Sequence, residues 1–73
     1  MGIKDLRIIC EQKMSRAMIN GNQKEILNFK NILEILKNDN CFRILDASIS
    51  FNILRDLGFN TEESIKIYSD LLN

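Results

Sequence analysis

Apolar residues return every three or four positions from Ile3 to Leu36, and a single break, Asn20-Gly21-Asn22, interrupts them. That spacing keeps them on one side of a 3.6-residue helix and does not fit the two-residue period of a strand. The first half of the chain is thereby constrained to two amphipathic helices. A turn this short forces them antiparallel. The first helix is predicted over 3–19, with Ile3, Leu6, Cys10, Met14 and Ala17 on one stripe. The second is predicted over 23–37, where Ile26, Phe29, Leu33 and Leu36 form a short heptad seam with Ile32 beside it. Two heptads are too few for a free-standing coiled coil, but they suit packing against the first helix. Gly21 and its Asn neighbours tolerate the left-handed backbone that ends a helix.

The second half carries weaker signals. Asn38-Asp39-Asn40 breaks the helical pattern with side chains that compete for backbone hydrogen bonds. Cys41 to Leu45 reads either as a short extended segment or as the lead-in to a helix, since five residues hold too little of either period. Asp46 suits the N-cap of a helix over 47–57, with Ile49, Ile53, Leu54 and Leu57 on one face. Ile49, Phe51 and Ile53 also alternate, so a strand is the competing reading. Gly58 closes this helix, and Phe59 is placed for the apolar contact that accompanies a glycine C-cap. Thr61 reads as the cap of a last helix over 62–72, with Glu62 and Glu63 complementing its positive end. Ile65, Tyr68 and Leu72 are its expected inner stripe, widened by Ile67 and Leu71. The fold expected is all-α: one domain over 1–73, a small three- to four-helix bundle built on an N-terminal antiparallel helical hairpin, with two short C-terminal helices.

Composition permits such a fold and limits its stability. The chain is 45% apolar and 27% charged with no net charge, which separates it from disordered sequences. At 73 residues it buries only roughly 60% of its unfolded surface, so a partner or very good packing is needed to stabilise it. No apolar run approaches the roughly 18 residues of a membrane span, so no membrane partner is expected. Met1-Gly2-Ile3-Lys4-Asp5 is charged where a signal peptide turns apolar, and Leu6 stands where a myristoylation signal has Ser or Thr. A cytoplasmic address follows as an expectation. Twelve Ile, nine Asn and six Lys, with no Pro or Val, reflect A/T-rich codons and point to a low-GC bacterium, its phage or its plasmid.

Catalytic chemistry is hard to find. Without histidine the usual general base at neutral pH is missing, and neither Ser nor Cys has an imidazole to activate it. Three glycines form no phosphate loop. Cys10 and Cys41 make no zinc site without histidine, and Cys10 on the apolar stripe reads as a buried, inert thiol. Asp56 and the Glu62-Glu63 pair lie at helix ends, where solvated carboxylates are usual. A bundle this small also leaves little room for the ~300 Å³ or more of a small-molecule pocket. The expectation is a protein that is not an enzyme, with no cofactor, metal or small-molecule substrate.

Two kinds of macromolecular partner remain. From Ile53 to Ile65 the chain reads helix, Leu-Gly-Phe turn, capped helix. This stretch is similar to pieces of mercury-resistance-type helix-turn-helix regulators, ubiquitin-associated domains and ribbon-helix-helix antitoxins, which share the turn physics without being related. As a DNA reader its second helix would begin Thr61-Glu62-Glu63 and carry one basic residue, Lys66, so its carboxylates would repel phosphates. Basic residues are concentrated instead in 1–38 (Lys4, Arg7, Lys13, Arg16, Lys24, Lys30 and Lys37), and acidic ones in 39–73. The two halves can attract each other or form opposite faces of a head-to-tail assembly.

A protein partner has more support, because several apolar residues of the hairpin lie off its inner stripes. Ile8 and Ile19 point away from the Leu6–Cys10–Ala17 face, with Ile9 on a flank; Leu27 and Ile35 lie off the second helix's seam. Large contiguous apolar patches are rare on monomers, so these residues, with Phe42 as an additional anchor, are the expected contact residues. The function expected is a small protein-binding regulator or inhibitor whose partner is another protein or a second copy. A DNA-binding transcriptional regulator is the alternative.

Overall fold

Gly21 and Gly58 are the two residues with positive φ, +68° and +103°, and both sit where a helix ends. In the computed structural model, which describes residues 1–73, the elements are α1 (Ile3–Ile19), α2 (Gln23–Leu36), α3 (Cys41–Ile44), α4 (Ala47–Asp56) and α5 (Thr61–Leu72). At the first turn the Asn22 N–H donates to the Ala17 carbonyl (3.0 Å) and the Gly21 N–H to Met18 (3.1 Å), which closes α1. The Asn22 side chain then accepts the Glu25 N–H at 3.2 Å and opens α2. One short turn thus serves as stop and start.

Gly58 works the same way. Its N–H donates to Arg55 (2.9 Å), the Phe59 N–H donates to Leu54 (3.1 Å), and the Phe59 side chain packs partly against the core. Asn60, rather than Thr61, caps α5: its side chain accepts the Glu63 N–H at 2.8 Å, while the Glu63 carboxylate accepts the Asn60 N–H at 3.0 Å. The residue three ahead of Glu63 decides the cap, because only that spacing closes both bonds at once. Asp46 does sit at the N-cap of α4, but its side chain makes no capping bond.

The chain is 78% helical without strands, an all-α bundle of 37 × 23 × 19 Å. The Cys41 segment is one turn of helix, so the strand alternative falls. The α1–α2 hairpin makes the most extensive packing, and the α3–α5 segment folds back on it. Twelve apolar residues form the core: Leu6, Cys10 and Ala17 of α1, Phe29, Ile32 and Leu36 of α2, Cys41, Phe42, Ile53, Leu54, Leu57 and Ile67. No helix is long and apolar enough to cross a membrane.

Three expectations about faces need correction. Phe42 is only 3% exposed and belongs to the core, because the α3 turn rolls it inward beside Cys41. On α5 the buried residues are Ser64 and Ile67, with Tyr68 and Leu71 half-buried, whereas Ile65 and Leu72 face solvent. On α4, Ser50 takes the buried position and Ile49 is exposed. Neither buried hydroxyl has a hydrogen-bond partner in the chain.

Arg7 ties the end of α2 to α1. Its Nε donates to the Leu36 carbonyl and its Nη2 to the Lys37 carbonyl at 3.1 Å, and Nη2 also pairs with Asp39. A cation there satisfies carbonyls that a helix C-terminus leaves open and opposes the negative end of its dipole.

Candidate functional site

The residues that sequence periodicity singles out do not converge on one surface. Ile8 and Ile19 are exposed on the outer side of α1, but eleven positions apart, about 16 Å along a helix. Leu27, 60% exposed, is the single apolar wall residue of an open depression of about 610 Å³ on α2, otherwise lined by Asn22, Lys24, Glu25, Asn28 and Asn31. Ile9 is half-buried and faces Leu57 and Phe59 across a cleft between α1 and the α4–α5 turn. Ile35 is half-buried at the α2–α3 junction, near Cys41, Ile44 and Leu45. Phe42 is in the core. Size alone therefore does not exclude a pocket, contrary to the expectation from chain length; the roomiest depression is instead open and lined mostly by polar residues.

Charge segregation turns out to be partly internal. Lys13 and Arg16 of α1 line one cleft with Glu63 of α5 and a second with Glu25 and Asp56. None of these groups forms a direct ion pair; the two pairs in the structure are Arg7–Asp39 and Lys37–Glu34. The basic half thus turns part of its surplus towards the acidic half. Both thiols are free and buried. Cys10 donates to the Phe29 carbonyl at 3.2 Å across the hairpin. Burial pushes both thiols above the ordinary cysteine value; Glu11 adds to this at Cys10, whereas backbone hydrogen bonds and Arg7 partly oppose it at Cys41. That is the setting of an inert thiol rather than a nucleophile. No three of His, Cys, Asp and Glu converge to hold a metal.

A different place combines the ingredients of a docking surface. Phe51 of α4 and Tyr68 of α5 pack ring against ring, centroids 4.9 Å apart and planes tilted by 44°. Beside them Phe51, Arg55, Thr61, Ser64 and Ile65 line a concavity of about 220 Å³ whose wall is almost wholly apolar. Ile65 is 54% exposed and Leu72, one heptad on, is also exposed. Arg55 reaches across the α4–α5 turn and donates to the Thr61 hydroxyl at 3.0 Å. Aromatic side chains with an arginine at the rim are the composition of protein–protein hot spots. Sequence reasoning missed this site, because it placed Ile65 on the inner stripe of α5 and read Phe51 as part of an alternating segment. Comparison of the chain with protein-family models, curated proteins and solved structures found no match.

Proposed function

We propose that the chain is a non-enzymatic protein-binding module, a small regulator or inhibitor, that docks on a partner protein through its α4–α5 face. The observation supporting this reading is the concavity built by Phe51 and Ile65 beside the Phe51–Tyr68 pair. It offers a partner fixed aromatic surface, and the helices that carry it are already ordered, so little conformational entropy is lost on binding. Ile65 is 54% exposed, so burying the rest of it contributes roughly 0.8–1.6 kcal/mol, a factor of about 4 to 15 in affinity.

The test is affinity capture with the wild-type chain, followed by titration of the identified and purified partner against variants. Ile65→Glu is expected to weaken binding at least about tenfold with an unchanged circular dichroism spectrum. Ile8→Glu and Leu27→Glu, on the outer sides of α1 and α2, are expected to bind as wild type. Loss of binding in those two with Ile65→Glu unaffected would move the docking surface to the hairpin and refute the proposal.

A further inference from the structure

Few polar bonds hold α4 and α5 against the hairpin. One side-chain hydrogen bond crosses that seam, from the Asn28 amide to the Asp56 carboxylate, and at 3.4 Å between exposed groups it is weak. Neither ion pair of the chain crosses it. Backbone approaches are sparse beside those inside the hairpin, so the two halves are joined by the shared apolar core and by side chains that face one another across clefts.

Two cations stand in those clefts. Lys13 and Arg16 lie three residues apart on α1 and line both of them. Like charges at that spacing disfavour an isolated helix. Opposing carboxylates reverse the sign: Glu63 lines the cleft of about 320 Å³, and Glu25 and Asp56 line the one of about 250 Å³. Asp56 and Glu63 come from the second half of the chain. The Lys13 stem also passes over the end of α4, where a Cβ added to Gly58 would meet its Nζ at 3.3 Å and its Cε at 3.4 Å. The ammonium is thereby held at the negative end of the α4 dipole. None of the three carboxylates lies within 4 Å of either cation, so the attraction acts across open clefts. Charges placed in that way are screened by salt, with a Debye length of about 8 Å at physiological ionic strength, whereas the apolar core is not held by charge.

We infer that Lys13 and Arg16 latch α4 and α5 to the hairpin by charge, so that ionic strength sets how readily the α4–α5 half opens. The latch does not depend on where a partner docks. Opening separates Ile9 of α1 from Leu57 and Phe59 and bares the apolar floor of the larger cleft.

The test is amide hydrogen exchange, read by mass spectrometry on the whole chain, at about 20 mM and about 500 mM sodium chloride. Exchange in α5 is expected to be about three- to tenfold faster at the higher salt, with the amides of α1 and α2 changed less. Lys13→Met keeps the stem over Gly58 and removes the charge. At low salt its α5 is expected to exchange nearly as fast as that of the wild type at high salt, and combining it with Arg16→Gln is expected to flatten the salt response. Asp56→Asn, which takes one carboxylate from the opposite wall, is expected to reduce the response and serves as the second variant where the Lys13 substitution does not fold. Lys4→Met, an exposed lysine of α1 outside both clefts, is expected to respond as wild type. Salt-independent exchange of α5 in the wild type would overturn the latch, as would a full salt response in Asp56→Asn or in the Lys13→Met/Arg16→Gln chain. An equal loss of response in Lys4→Met would overturn it too, by making net charge the cause.

Discussion

Replacing Arg7 by Met removes the fork that closes the end of α2 while keeping an unbranched apolar stem in its place. Two backbone carbonyls, of Leu36 and Lys37, lose their side-chain donor, and Asp39 loses its pair. A hydrogen bond involving a charged group contributes about 1.5–3 kcal/mol when shielded and less at the surface. The Arg7 side chain is 24% exposed and Asp39 is 76% exposed, so the carbonyl bonds outweigh the ion pair. The expected loss is about 2 kcal/mol, most of it at the Leu36 carbonyl, which lies in the part-buried portion of the interaction. Asp39→Asn is expected to lose less than about 1 kcal/mol. Arg7→Lys should recover less than half of the Arg7→Met deficit, since an ammonium cannot serve both carbonyls in one plane. Urea unfolding at constant m-value gives these differences, and 2 kcal/mol corresponds to a fall in Tm of about 8–16 °C in a domain of this size. A deficit below about 0.5 kcal/mol in Arg7→Met, or wild-type stability in Arg7→Lys, would refute the fork as the source of the stabilisation.

Gly58→Ala is expected to destabilise by about 1–2 kcal/mol, because φ of +103° is strained for any L side chain and the new Cβ would lie 3.3 Å from the Lys13 ammonium. Gly21→Asn, at φ of +68° with open space around it, should lose only a fraction of that in the same unfolding assay. Ser50→Ala and Ser64→Ala are each expected to be neutral or to stabilise by about 1 kcal/mol, since each removes a buried hydroxyl without a partner; a clear loss of Tm in both would show that those hydroxyls are satisfied. For the thiols, burial raises the folded-state pKa of Cys10 and Cys41 above the unfolded value. Their contribution is therefore fully present below the unfolded cysteine pKa and is lost as pH rises through the folded one. Stability should decline with a shallower slope above that unfolded pKa in Cys10→Ala than in wild type, and neither thiol should react with a thiol-specific reagent at neutral pH on the timescale of exposed cysteine.

Where sequence and structure agree, the physics is local. Both glycine turns follow from composition, and the buried stripe Leu6–Cys10–Ala17 follows from spacing, because each depends on residues within two helical turns. Where they diverge, the deciding contacts come from elsewhere in the chain. Apolar residues Ile65, Ile67, Tyr68, Leu71 and Leu72 cover a wide arc of α5, so periodicity admits more than one inner face. Packing against α3 and α4 selects the one carrying Ser64, a polar residue that no hydropathy pattern would place inside. Phe42 could not be oriented because four residues of helix hold barely one period. The proposed docking site was hidden because its residues come from two helices. Phe51 and Tyr68 become neighbours only through the geometry of the α4–α5 turn, whereas Ile8, Ile19 and Leu27 stand out along single helices.

The extensive α1–α2 interface has a kinetic consequence. Its contacts join residues close in sequence across a three-residue turn, so little loop entropy is lost in closing it, and chains of this kind fold in microseconds to milliseconds. The α3–α5 segment has fewer contacts of its own and needs a formed surface to condense on. Amide exchange should therefore be slowest in Leu6–Ala17 and Phe29–Leu36 and faster throughout α5, which opens sub-globally before the hairpin does. The face proposed for docking thus lies on the less protected half of the molecule, and a bound partner would register first as slowed exchange in α5.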